Sequence, residues 1–471
     1  MTTTSPRPSS SSSSGSSSAD ANKAQKRLVV SCDGTWQSAD NSSPLDNTNA
    51  INFCRALKHN RGEDEKEQIM FYQAGVGSDA LTKTQKLLSG GFGLGLEENS
   101  REAYSYLAYN YSPGDEIFLL GFSRGAYTAR SVAGLIGALG MLSRDGMQYF
   151  KAVYSLYKKA KTTPDFTRSL EKFVEKEGLE GKEWRIPPGD VEIKAVACWE
   201  TVGALGVPEN WMSRFWGWDE KWRFLDTQLP ERVEYAFQAL GLDEHRSSFS
   251  PTLWWRDPNA EFKRSTDGTT VHPTLIQTWF PGHHSDVGGG EPDHKISNIT
   301  LLWMISQFTS RNLLSFDTDY IKKICSSTRN TADPSWTKNR DPFYSGVLPS
   351  VLWSLLGSKV RTPGRYRRPE GVNGVSKGSM TNETMHYSVR AKMEESAKEA
   401  KKPLSPPSRA LEGYVYDGER RAWLCRNSGR PELREVELPS LGLMAEGESE
   451  SENLEAWMFS EWLAKQEVKN K

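Results

Sequence analysis

A serine bracketed by glycines is the part of this chain most able to do chemistry. Glu116-Ile117-Phe118-Leu119-Leu120 runs into Gly121-Phe122-Ser123-Arg124-Gly125, and a stretch of small residues follows from Ala126. An apolar strand that turns through G-x-S-x-G into a helix is the setting in which this motif lifts a serine hydroxyl above a sheet on a strained bend. Gly121 and Gly125 suit that bend, because a Cβ at either position would meet the neighbouring strand or helix. The following helix directs backbone N–H groups at the point of attack. Serine alone is a weak nucleophile. A histidine must take its proton, and a carboxylate must orient that histidine.

In strand–elbow hydrolases the chain order is Ser, acid, His. The first acid after a plausible strand downstream of Ser123 is Glu200, in Val196-Ala197-Cys198-Trp199-Glu200-Thr201-Val202-Gly203. That position lies at a strand's C-terminal end, where α/β sheets collect their active sites. A helix cap or surface loop is the plainer role for such a carboxylate. For the base, Thr278-Trp279-Phe280-Pro281-Gly282-His283-His284-Ser285-Asp286-Val287-Gly288-Gly289-Gly290 places two of the seven histidines side by side, after a strand and before three glycines. Adjacent side chains point in different directions, so at most one of the pair reaches Ser123. A structural, hydrogen-bonded histidine is the competing reading. His283, His284 and Asp286 are a tight local cluster, but without helical H-x-x-x-H spacing or distant ligands they do not make a metal site. No metal or organic cofactor is expected.

The elements that must position these residues follow from periodicity. Strands are expected at Arg27–Cys32, Gln68–Gln73, Glu116–Gly121, Val191–Cys198 and Leu275–Phe280, with helices at Glu97–Tyr109, Ala126–Leu139, Ala152–Tyr157, Ser169–Glu177 and Ser297–Phe308. Short apolar runs alternating with helical patterns are the mark of a parallel sheet with crossover helices. The fold class expected is α/β: a mostly parallel, α/β-hydrolase-like sheet flanked by helices, with an irregular C-terminal elaboration. Three segments are expected. Residues 1–25 form a disordered, Ser-rich tail, residues 26–310 the catalytic domain, and residues 311–471 an elaboration that packs on or completes it. Within the last, Glu395–Pro407 is charged and Pro-rich and is expected as a linker or surface loop, making 393–408 flexible. Gly413–Tyr416 and Ala422–Cys425 flank the turn signal Asp417-Gly418 and read as a hairpin. Leu454, Trp457, Met458 and Trp462 recur at helical spacing near the end.

The stretches Cys32-Asp33-Gly34-Thr35-Trp36, Asn47-Thr48-Asn49, Gly75-Val76-Gly77, Gly91–Leu96, Pro113–Glu116, Gly121–Arg130, Cys198–Gly206, Arg246–Trp254 and Trp279–Gly290 together resemble the DUF2235 family. This is the α/β-hydrolase-type domain also found in phospholipase effectors of type VI secretion. The resemblance covers about Arg27 to Phe308, with echoes such as His386-Tyr387-Ser388-Val389-Arg390 beyond. It implies a Ser–acid–His hydrolase of esters, lipase- or phospholipase-like. By position, Ser123 matches the nucleophile and His284 the histidine of the H-S-D-x-G-G-G stretch. Glu200 stands where the family normally has Asp, and Asp286 is the fallback acid. For the oxyanion, one N–H is expected from Arg124 and a second from Gly34 or Thr35, with Asp33 holding that loop.

Composition narrows the alternatives. The chain has 471 residues, 37% hydrophobic and 11% aromatic, with Lys+Arg 59 against Asp+Glu 60. That balance removes the general electrostatic case for nucleic acid. No apolar run of spanning length is present, so a transmembrane segment is not expected, while peripheral contact with a membrane stays open. Trp211–Trp222 and Phe343–Leu356 are the candidate lipid-facing segments, with core packing the competing role. Five scattered cysteines make neither a disulfide framework nor a zinc pattern and suit a reducing, cytoplasmic setting. The expected substrate is a small-molecule or lipid ester; the oligomeric state is not set by these features. Two other functions compete with a serine ester hydrolase. One is a catalytically silent scaffold. The other is a phosphohydrolase using Asp33, although the Asp such enzymes carry two residues earlier is Ser31 here.

Overall fold

A strand buried on both faces favours near-continuous apolar side chains, as in Leu28–Val30 and Ile117–Leu120 at the middle of the main sheet. The computed structural model describes residues 25–34, 47–59, 66–75, 92–202, 228–257, 259–264, 267–326, 357–366, 381–400, 408–426 and 432–436. Its main sheet comprises β1 (Lys26–Cys32), β2 (Glu67–Gln73), β3 (Glu116–Phe122), β4 (Ile193–Trp199), β5 (Val233–Gly241), β6 (Thr274–Phe280) and β7 (Glu383–Met385). The order across the sheet is β7-β6-β5-β4-β3-β1-β2, and every neighbouring pair is parallel. The order reverses at β1, so the crevice between the C-terminal ends of β1 and β3 is where a doubly wound sheet places a ligand.

Alternate residues of each strand feed two cores. Leu28, Val30, Ile117, Leu119, Val196 and Cys198 face α2 (Phe92–Asn110), α3 (Arg124–Leu139) and the cover of α4 (Phe150–Lys159) and α5 (Thr163–Glu177). On the other face, Val29, Phe118, Leu120, Ala197 and Phe237 meet α1 (Asn49–Ala56), α7 (Lys295–Thr309) and α8 (Thr318–Cys325). α3 can lie close to the sheet because Gly125, Ala126, Ala129 and Ala133 line its buried side. α7 is buried almost all round, from Ile296 through Ile305, as befits a helix with little polar face. Between β6 and α7 sits the short helix α6 (His284–Gly288).

A third cluster joins β5 and β6 to the C-terminal region through Leu240, Trp279, Met385, Val389, Met393, Leu411 and Trp423. β7 extends the sheet edge there. A small antiparallel sheet of Tyr414–Asp417, Ala422–Cys425 and Leu433–Arg434 packs beside it.

The structure departs from the expected elements at several points: β7, α1 and α8 are additional, and three further differences bear on the fold. β5 is an additional central strand; its Ala and Gln content hid the pattern. The segment expected to be flexible from 393 is helical as far as Ala400, in α9 (Ser388–Ala400). The reason is that Val389 and Met393, four apart, are buried in the third cluster. The hairpin is present, but its loop is the four residues 418–421, with Asp417 Oδ1 accepting from the N–H groups of Glu419 and Arg420. The Ser-rich tail to residue 24, the Trp211–Trp222 and Phe343–Leu356 segments, residues 401–407 and the terminal amphipathic stretch lie outside the described residues.

Candidate active site

Ser123 ends β3 and caps α3 in a backbone conformation (φ 57, ψ −119) that side chains rarely adopt. Strain of this kind, of order 1–3 kcal/mol, persists only where the surroundings enforce it. Here the two glycines are the enforcement. A Cβ on Gly121 would lie 2.4 Å from Gly125 O, and one on Gly125 would lie 2.1 Å from Cys32 O. The helix start is therefore pressed against both β3 and the end of β1. Ser123 N donates to Trp199 O at 3.0 Å, tying the bend to β4. The serine keeps 8% of its surface exposed.

The hydroxyl oxygen of Ser123 lies 2.8 Å from His284 Nε2. On the far side of the ring, His284 Nδ1 lies 3.1 Å from Glu200 Oε2. All three side chains are buried and come from the C-terminal side of β3, β4 and β6. The imidazole is held between Phe122 and Phe249, each with its ring centroid 4.9 Å away. Glu200 is also in a left-handed conformation (φ 49), which follows from ending β4 with its N–H still donated to Ala239 O at 2.9 Å.

Asp286 does not reach His284. Its Oδ2 accepts from His283 N at 2.7 Å and lies 3.3 Å from His283 Nδ1, which makes it the capping carboxylate of α6. His283 thereby turns away from the serine. The structure brings Ser123, His284 and Glu200 together and leaves His283 and Asp286 as a local cap.

Four donors converge on Glu200. Arg361 Nη1 and Nη2 approach Oε1 and Oε2 at 2.6 and 2.7 Å, and Gly241 N–H also binds Oε1. His284 Nδ1 is the fourth. Burial pushes the Glu200 pKa up, but Arg361 and His284 outweigh it and hold the carboxylate at about 2. Burial lowers His284 from its ordinary value against the opposing pull of Glu200 and Glu244. The net direction for His284 is down because burial outweighs the upward pull of the two carboxylates, with the nearby charge of Arg246 adding to the lowering. Arg361 opens the basic run Arg361-Thr362-Pro363-Gly364-Arg365-Tyr366-Arg367-Arg368. No local pattern marks it, since its partner is 161 residues away.

Glu244 forms a second buried site beside the ring. It accepts from Arg246 Nε and Nη2 at 2.9 and 2.7 Å, and its Oε2 lies 3.3 Å from His284 N. Arg246 in turn stacks over Phe249, 3.8 Å from the ring centroid.

Asp33, after β1, is buried and accepts from three directions. Its partners are Gly34 N at 2.6 Å, Thr48 Oγ1 at 2.7 Å and Tyr72 Oη at 2.7 Å. It thus ties the β1 loop to the start of α1 and to β2. Burial raises its pKa to about 6 in spite of these hydrogen bonds. Gly34 lies against Ser123, as a Cβ there would be 3.5 Å from Ser123 Cβ. Its N–H is already donated to Asp33, so it is not the open oxyanion donor expected of it; the short Asp33 side chain folds back onto the next peptide. Thr35 lies outside the described residues. Arg124, the residue after Ser123, opens α3 with its guanidinium largely buried, which lowers its pKa to about 10. Among the described residues no group of His, Cys, Asp and Glu is arranged to hold a metal ion.

The chain is 25% identical over 406 residues to an uncharacterized protein of Saccharomyces cerevisiae, with 60% of this chain and 56% of that protein covered. It therefore spans little more than half the length of that relative. Two solved structures share 18% sequence identity with it. One is the Tle1 effector bound to the VgrG spike of the type 6 secretion system (TM-score 0.28, covering 57% of this chain and 51% of that one). The other is an uncharacterized protein from Pseudomonas aeruginosa (TM-score 0.32, covering 60% and 45%). Residues 26–307, more than half of the chain and the span that carries Ser123, Glu200 and His284, match the family described as the type VI secretion phospholipase effector Tle1-like catalytic domain, and the chain belongs to that family.

Proposed function

We propose that this protein is a serine hydrolase of carboxylic esters and that its substrates are lipid esters of the phospholipid class. The observation that carries the chemistry is the unbroken line from Ser123 Oγ through His284 to Glu200, at 2.8 and 3.1 Å, on a strained elbow. Family membership supports the substrate class, since the family is described by its phospholipase effectors.

In this reading the Ser123 oxygen attacks the acyl carbon while its proton passes to His284 Nε2. Glu200 accepts the Nδ1–H and so selects the tautomer whose Nε2 is free to receive that proton. The tetrahedral oxyanion meets the N–H of Arg124 at the start of α3; a donor so placed is typically worth about 3 kcal/mol. The ester C–O bond then breaks, and the departing alcohol takes the proton from Nε2. Water, deprotonated by the same nitrogen, attacks the acyl-serine. The carboxylic acid leaves and Ser123 recovers its proton.

The test is hydrolysis of a short-chain aryl ester and of a phospholipid by the protein and by its Ser123→Ala and Asp33→Asn variants. The proposal expects Ser123→Ala to lose several orders of magnitude on both substrates. It expects Asp33→Asn to lose less, because Asp33 only ties the loop beside the elbow. Hydrolysis that survives Ser123→Ala and is abolished by Asp33→Asn would overturn it, and so would a protein inert towards both esters.

A further inference from the structure

The surroundings of His284 contain an excess of balanced charge. Glu200 approaches from the end of β4, Glu244 and Arg246 from the loop after β5, and Arg361 from the segment 357–366; His283 and Asp286 stand on or beside its own helix and are paired with each other. Each of the two carboxylates that contact His284, Glu200 at the ring and Glu244 at the backbone N–H, is gripped by an arginine through both oxygens or through a fork of nitrogens. A guanidinium stays protonated at any working pH and matches a carboxylate in a planar, bidentate geometry. An imidazole next to such a pair finds an acceptor for its N–H, but little uncompensated negative charge that would favour a second proton. Arg361 is also fixed at other points, since its Nη1 donates to Gly241 O and its Nη2 to Phe249 O. It is 2% exposed, so water does not screen the contact.

We infer that Arg361, contributed from beyond the family-matched span, is a positioning residue that pre-pairs Glu200 and so keeps His284 neutral and ready to act as base. The inference rests on the triad proposed above for the reaction itself. Its consequence is specific. Glu200 without Arg361 would be a lone buried carboxylate hydrogen-bonded to an imidazole, and such a dyad binds a proton at higher pH wherever that proton sits. Removal of Arg361 therefore moves the acid limb of activity upward, which loss of packing alone does not do.

The test follows the His284 side-chain resonance by NMR across pH, assigned by its loss in His284→Gln, alongside the pH–rate profile on an aryl ester. For Arg361→Met the expected result is an upward move of the His284–Glu200 titration midpoint by at least about one pH unit, equivalent to a roughly fivefold loss of active base at the original midpoint. Arg361→Lys keeps the charge without the fork; the midpoint should stay within about half a unit. An unmoved midpoint in a folded Arg361→Met protein overturns the inference. Should that variant not fold, Glu200→Gln/Arg361→Met removes both charges together. A midpoint within about half a unit of the parent then supports the pairing, and a fall of a full unit or more contradicts it. Because the resonance is read without substrate, an inert protein refutes the proposed hydrolysis while the NMR result still decides the role of Arg361.

Discussion

Replacing Glu200 by glutamine preserves the side chain's shape and removes one acceptor and one charge. Two donors, Gly241 N–H and Arg361 Nη1, meet Oε1, and two more, His284 Nδ1 and Arg361 Nη2, meet Oε2. A glutamine offers one oxygen to one of these pairs and an NH2 group to the other. If the NH2 faces Gly241, donors oppose donors at a buried site. If it faces His284, the imidazole shifts to the tautomer that carries its proton on Nε2, which cannot accept from Ser123. In both orientations the charge of Arg361 is left buried without a counter-charge. Breaking one side of a buried ion pair costs about 3–5 kcal/mol, and the wrong tautomer in a serine triad lowers kcat by about 10⁴. Glu200→Gln should therefore lose about 10²–10⁴ in kcat on an aryl ester and about 3 kcal/mol or more of stability in urea unfolding. Activity within about threefold of the parent together with an unchanged unfolding midpoint would refute the geometry on which this rests.

Three further outcomes follow. Burial lowers the pKa of His284 from 6.5; the base works when neutral, so the rate is full above that pKa and falls as pH drops through it, and an acid-limb midpoint above 6.5 would contradict the assignment. Gly125→Ala puts a Cβ 2.1 Å from Cys32 O and 2.5 Å from Asp33 O, both backbone atoms; urea unfolding should register a loss of about 1–3 kcal/mol with a parallel fall in kcat, and parent-like values would show that the elbow is not so tightly held. Gly288→Ala puts a Cβ 1.9 Å from Phe122 Cε2, and Phe122 packs on the His284 ring; the expected result is a kcat loss with little change in KM, whereas unchanged kcat would show that Phe122 can move without disturbing the base.

The parts of this site that could be read from sequence are those whose signal is local. The elbow is contiguous, and its strand and helix flank it directly. The His284 stretch stands out because histidine is scarce in this chain and a glycine run follows. Glu200 was legible because an apolar strand ends on it, and the choice between it and Asp286 required only the fold to bring one of them to Nδ1. Arg361 was not legible: it sits in a basic run like many surface segments, and its meaning comes from tertiary contacts at Glu200, Gly241 and Phe249. β5 escaped for a related reason. Its Gln238 is fully buried and donates to Thr201 Oγ1 and Thr252 O, so a polar residue sits inside a central strand because of partners that no window on the sequence contains. The helical extension to Ala400 likewise depends on a buried face formed only when β7 and the small sheet assemble beside it.

The most direct measurement is covalent labelling with a fluorophosphonate followed by peptide mapping, since the probe needs an activated serine and no knowledge of the substrate. The account predicts a single adduct on Ser123, absent in Ser123→Ala and slowed by orders of magnitude in His284→Gln. An adduct on another residue, or none on folded protein, would contradict it.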